Sequence, residues 1–111
     1  MKDDFVYLQH IRECIQRIED DTAGGIEAFR SSRTHQDAVL RNLQVLAESC
    51  QRLSEERKSR WQQVEWKRIA AFRNVLVHDY LGLDLARIWQ VIQHDVPHLK
   101  ETIELMLREK S

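Results

Sequence analysis

One octet of this chain, Arg73-Asn74-Val75-Leu76-Val77-His78-Asp79-Tyr80, gathers the side chains that metal-free cleavage of a phosphodiester requires. An imidazole gives or takes a proton near neutral pH, so His78 could activate a ribose 2′-hydroxyl. A guanidinium offers a permanent charge and a planar fork of donors. Arg73 could therefore hold a phosphate and stabilise the charge that builds on pentacoordinate phosphorus. Asn74 could orient the imidazole, and Tyr80 could hydrogen-bond a phosphate or sugar oxygen. The same residues have a purely structural use as well. Arg73 could pair with an acid, and His78 could sit at a helix C-terminus, where a cation is favoured.

Spacing constrains how these groups can meet. At ~100° per residue Tyr80 returns almost to the face of Arg73, and Asn74 and His78, four apart, are neighbours. Arg73 and His78, five apart, diverge by ~140° on a regular helix. One helix cannot easily aim both at one phosphate. Either the helix ends or distorts near His78, or two copies of it meet across a dimer axis.

The elements that must position the octet read as helices throughout. Phe5, Leu8, Ile11, Ile15 and Ile18 recur every three or four residues and predict an amphipathic helix over about 3–20. Gly24-Gly25 interrupts it, and Ile26 to Arg30 forms a helical turn or two before Ser31-Ser32. Thr34 is the expected N-cap of a second long helix, with Asp37 as its capping acid. That helix carries Val39, Leu43, Leu46, Cys50 and Leu53 and ends near Ser54. Residues 55–64 are polar and poorly periodic, which predicts a loop or frayed connection.

A third long helix is expected from about Trp66 to Tyr80, with Ile69, Phe72 and Leu76, and Val75 beside them, toward the core. Gly82 is its natural C-cap and Asp84 the N-cap of the next helix. Leu85, Ile88, Val91 and Ile92 mark that helix, which should stop before Pro97, the first turn of a final helix bearing Leu99, Ile103 and Met106 or Leu107. No period-2 pattern or repeat occurs. The expected fold is all-α, an antiparallel helical bundle formed by residues 1–111 as a single domain.

Composition agrees with that class. The chain has 111 residues, three glycines and one proline, too little punctuation for a many-turned sheet. No apolar run approaches a membrane span, and the acidic start, Met1-Lys2-Asp3-Asp4-Phe5, has no apolar core of a secretory signal. A cytoplasmic protein is expected, with Cys14 and Cys50 as buried free thiols rather than a disulfide. The net charge of −1 argues against nonspecific coating of nucleic acid.

Its distribution is uneven. Residues 1–29 hold three basic and seven acidic groups, 30–73 ten and five, and 74–111 four and six. A basic middle third leading into the octet suits an anionic substrate as well as it suits a solvated helix face. Arg41, Arg52, Arg57, Lys58, Arg60, Lys67 and Arg68 are candidates for tracking phosphates, with Arg41, Lys67 and Arg68 foremost. His94 and His98 flank Pro97 with no converging cysteine or carboxylate cluster, so no metal site is expected there. His10 and His35 suit surface or capping positions. Trp61, Trp66 and Trp89 suit core or interface packing better than base stacking.

Arg-x4-His-x-Tyr, followed by Tyr-x-Gly-x-Asp-Leu and a Trp-bearing helix, resembles the signature of the HEPN-domain toxins. The whole segment VEWKRIAAFRNVLVHDYLGLDLARIWQVIQHDVPHLKETI is similar to the HepT branch of that superfamily. The likeness continues upstream through AVLRNLQVLAESCQRLS and, more weakly, into the first helix; Glu55 to Trp66 matches loosely. The resemblance implies a four- to five-helix bundle that forms a homodimer, with two motif copies in one composite cleft. It implies a metal-independent endoribonuclease without a cofactor, in which Arg73 and His78 are catalytic and Asn74 and Tyr80 support them. It also implies a partner, an MNT-type nucleotidyltransferase antitoxin, which silences the toxin by adenylylating Tyr80. A non-catalytic regulatory subunit of such a nucleotidyltransferase is the rival reading.

Overall fold

The computed structural model describes residues 3–78 and 82–109. Seven α-helical segments occur among them: α1 (Asp4–Asp21), α2 (Gly25–Ser31), α3 (Arg33–Arg52), α4 (Glu55–Ser59), α5 (Trp66–His78), α6 (Leu85–Gln90) and α7 (Val96–Arg108). A π-helical turn, Val91–Asp95, joins α6 to α7. No strand is present among the described residues.

Helix boundaries follow local chemistry. Asp3 caps α1 by accepting from the Phe5 N–H, and Asp84 caps α6 by accepting from the Ala86 N–H. Gly25 takes a positive φ of 89° where α1 turns into α2, a conformation that suits glycine. The cap of α3 is Ser32, whose hydroxyl accepts from the His35 N–H, rather than the expected Thr34. Two residues of further helix result.

Two other expectations are corrected. The polar segment after Ser54 is not simply a loop: Glu55–Ser59 is the short helix α4, capped by the Ser54 hydroxyl. Its periodicity is unreadable because polar bonds hold it instead of an apolar stripe. Arg57 pairs with Asp4 at 3.0 Å and Glu109 at 2.8 Å, and Asp4 also accepts from the Ser54 N–H and hydroxyl. The start of α1, α4 and the end of α7 are thereby tied together. Pro97 does stand in the first turn of α7, as expected, but the helical course does not stop before it. Helix runs through it without interruption, because the π turn just before it widens the backbone ring; Val96 N–H reaches back to Val91 C=O.

The core is built on α3, which packs against α1, α5 and α2, while α1 also packs against α7. Leu8, Ile11, Ile15 and Ile18 of α1 meet Val39, Leu43, Leu46 and Cys50 of α3, with Leu99, Ile103 and Met106 of α7 completing the interior. Phe5, the first residue of the α1 stripe, is exposed. Both cysteines are free and buried, and burial pushes the Cys50 thiol up to about 12. Trp66 donates to the carbonyls of Lys58 and Trp61, and Trp89 lies against Phe29 at 5.4 Å between ring centroids. These rings pack. None is splayed for a base.

Helix α5 is the least embedded long element. Leu76 is its one buried side chain; Ile69 and Phe72 are half-buried, and Val75 and Val77 are 42% and 37% exposed. It leans on α3 but stands apart from α6 and α7. An open groove of about 990 Å³ separates them, floored by Leu43, Phe72 and Val91 and rimmed by Arg68, Arg87 and His94.

Candidate functional site

The octet begins inside α5, which stays α-helical through His78. No distortion precedes His78, the last described residue of α5, so of the first way to bring it toward Arg73 only a helix end near His78 is left beside the dimer. The regular helix turns Arg73 toward α3 and His78 away from it. Asp79 and Tyr80, the latter the expected site of adenylylation, lie outside the described residues.

Arg73 is only partly exposed, its side chain at 31%. Its Nε and Nη2 donate to Glu48 Oε2 at 3.3 and 3.2 Å, and its Nη1 donates to Asn74 Oδ1 at 3.3 Å. Gln44 Nε2 donates to the same Glu48 oxygen at 3.3 Å. Three of the five guanidinium N–H donors are thus directed at neighbours, and one hydrogen on each terminal nitrogen remains for a ligand. These bonds sit at the long end for charge-assisted pairs, whose usual range is about 2.7–2.9 Å.

Glu48 is the residue that sequence reasoning missed. Nothing in its neighbourhood marks it, because its partner lies 25 positions along the chain. Asn74 was expected to orient His78, four residues on; its carbonyl oxygen instead receives Arg73. Among the described residues nothing hydrogen-bonds the His78 ring, which is exposed at the last position of α5.

The basic residues divide into two groups. Arg57, Arg60, Lys58 and Arg68 are ion-paired, to Asp4 and Glu109, to Glu109, to Glu55 and to Glu65 respectively. Arg41, Arg52 and Lys67 are exposed and make no salt bridge among the described residues. Lys67, Asn74 and His78 recur at +7 and +11, which puts them on one outward stripe of α5. Arg68 faces the groove instead. His98 Nε2 lies 3.2 Å from the Gln63 carbonyl oxygen, and no group of three His, Cys, Asp or Glu among the described residues is placed to hold a metal. No helix among them is long and apolar enough to cross a membrane.

A helical bundle presenting an arginine and a histidine at the surface of one under-packed helix is the class that fold and site define. Residues 11–106 match the family described as Ribonuclease HepT-like, and the chain belongs to that family. It is 32% identical over 112 residues to a candidate RNase of Caldanaerobacter subterraneus subsp. tengcongensis, covering 99% of this chain and 100% of that one. A Methanocaldococcus jannaschii protein, described as a gamma-glutamylcyclotransferase and candidate RNase, is 37% identical over 109 residues. That match takes in 97% of this chain but 49% of the relative, so the chain spans about half of that protein's length. Among solved structures, a tri-AMPylated Shewanella oneidensis HEPN toxin in complex with MNT antitoxin superposes with a TM-score of 0.73 at 26% identity. The superposition covers 98% of this chain and 100% of that one. The all-helical HEPN fold and the ribonuclease class implied by the motif are those of the family.

Proposed function

We propose that this chain is the toxin of a HEPN/MNT toxin–antitoxin pair, a homodimeric endoribonuclease that works through Arg73 and His78. The observation that carries the reading is the position of the pair. Both side chains reach the surface of α5, neither is sealed in the core, and the regular helix points them ~140° apart. A second copy supplies what one helix cannot. Val77, exposed on α5 between Arg73 and the stripe of Asn74 and His78, gives an apolar contact on which such a dimer would close.

In this reading His78 takes the proton of a ribose 2′-hydroxyl as its oxygen attacks phosphorus. Arg73 holds the nonbridging oxygens with its remaining N–H donors. The bond to the 5′-oxygen breaks, that oxygen takes back the proton that the imidazolium gained, and the products are a cyclic phosphate and a 5′-hydroxyl. Lys67 and Arg41, with Arg68 beyond them, contact the RNA backbone. The antitoxin silences the enzyme by adenylylating Tyr80: the phenol oxygen attacks the α-phosphate of ATP and pyrophosphate leaves. An anionic nucleotide beside Arg73 then takes the charge and space meant for RNA.

Arg73→Ala and His78→Ala should each abolish cleavage of RNA in excess chelator, with the helical circular dichroism unchanged. Undiminished cleavage by both variants would refute the assigned roles. A second reading, a non-catalytic regulatory subunit of a nucleotidyltransferase, is favoured by the Arg73–Glu48 pair, which already gives Arg73 a structural occupation. Intact RNA with the wild-type protein supports that alternative.

A further inference from the structure

Arg41, Glu48 and Arg52 share one stripe of α3, since +7 and +4 steps return to nearly the same face. The stripe points away from the core, whose α3 contributors are Val39, Leu40, Leu43, Leu46, Ala47 and Cys50. At ~1.5 Å per residue it runs for ~16 Å, with Glu48 between the two arginines. Glu48 is where the guanidinium of α5 lands: Arg73 lies across the seam onto this stripe. The outer surface of α3 is therefore a row of three cations, Arg41, Arg73 and Arg52, with one carboxylate in the middle that already holds three donors. Neither Arg41 nor Arg52 makes a salt bridge among the described residues, whereas Arg57, Lys58, Arg60 and Arg68 nearby in sequence all do. Charge on this surface is uncommitted at two points and committed elsewhere.

We infer that α3 carries the path of the RNA strand, with single-stranded backbone running along it from Arg52 to Arg41 and the cleaved linkage at Arg73 between them. The inference rests on the ribonuclease reading and deepens it. The ligand chemistry is a row of singly charged phosphates, which flexible, unpaired arginines at spaced positions bind without base specificity. Arg52 enters the site on this account, and the ion-paired cluster of α4 leaves it.

The experiment uses His78→Ala as a full-length, cleavage-dead background and measures binding of a fluorescent unstructured oligoribonucleotide across a salt series. Arg41→Glu combined with Arg52→Glu should weaken binding about tenfold or more and lower the slope of log affinity against log salt by about 1.4, the share of two phosphates. Arg108→Glu combined with Lys100→Glu changes the net charge equally on α7 and should leave both readouts near the parent value. Equal losses in the two double variants would reduce the effect to overall charge and overturn the path, as would unchanged binding in the α3 variant. Failure of the path and failure of the nuclease reading are distinguishable. In the first case the wild type still cleaves and the α3 variant, made in the active protein, keeps its KM; in the second the wild type does not cleave at all.

Discussion

Arg73 could be singled out from its neighbours in sequence, but the group that fixes it could not. Glu48 comes 25 residues earlier, on another helix, and looks like any solvated glutamate of an amphipathic stripe. Only the packing of α5 on α3 brings the two together. An exposed pair of this kind contributes about 0–1 kcal/mol to stability, so its value lies in aim rather than in holding the fold. Glu48→Gln keeps an acceptor for the guanidinium but removes the charge. The expected result is a fall in kcat of about tenfold with little change in KM or melting temperature, the mark of a positioning residue. Glu48→Asp, with its charge retained, should recover part of the loss. A matching drop in melting temperature for Glu48→Gln would make the residue structural only.

At the scale of elements, apolar periodicity was a sound guide to α1, α3, α5 and α7 and a poor one wherever polar bonds or a single proline decide. The stripe on α3 is buried at each of its five expected positions, Val39, Leu43, Leu46, Cys50 and Leu53. Helix α4 has no buried residue and exists because Ser54 caps it and Arg57 binds two carboxylates. Pro97 holds the first turn of α7, as its missing N–H predicts, and the chain ahead of it stays helical through a π turn that the periodicity does not announce. The carboxylates of the α4 clamp give it a pH signature. For Asp4, burial pushes its carboxyl up, but hydrogen bonds from Ser54 and Arg57 outweigh that and leave it below the ordinary 3.8; Glu109 is lowered mainly by Arg60, with Trp61 and Arg57 adding to it. A lowered folded value means stability that is present above the ordinary value and lost as pH falls through the folded one. Chemical melts taken from about pH 6 to about pH 2.5 should therefore show stability falling only below about pH 4. In Arg57→Met the loss across that range should be smaller, since both carboxylates lose a donor and their folded values move back toward the ordinary ones. An acid limb identical in the two proteins would mean the clamp does not couple the helix ends.

For the molecule as a whole, the sequence left open whether Arg73 and His78 converge within one chain or between two, and the regular course of α5 bears directly on that choice. A helix that stays α through His78 turns the two side chains toward different sides, with Val77 exposed between them. If the working site takes Arg73 from one subunit and His78 from the other, two inactive proteins can repair each other. Mixing Arg73→Ala with His78→Ala, after partial denaturation and refolding to exchange subunits, makes heterodimers in which one of the two composite sites is whole. With half the dimers mixed and one site intact in each, RNA cleavage should return to about a quarter of the wild-type rate, following from the two-fold symmetry of an isologous pair. A site assembled within each subunit gives the opposite result, because every subunit in the mixture then lacks one of its own groups and cleavage stays at background. Adding Val77→Glu to both proteins separates assembly from chemistry. A charge in the middle of the proposed interface should keep the subunits apart in sedimentation and abolish the recovery, while each chain retains its helical spectrum.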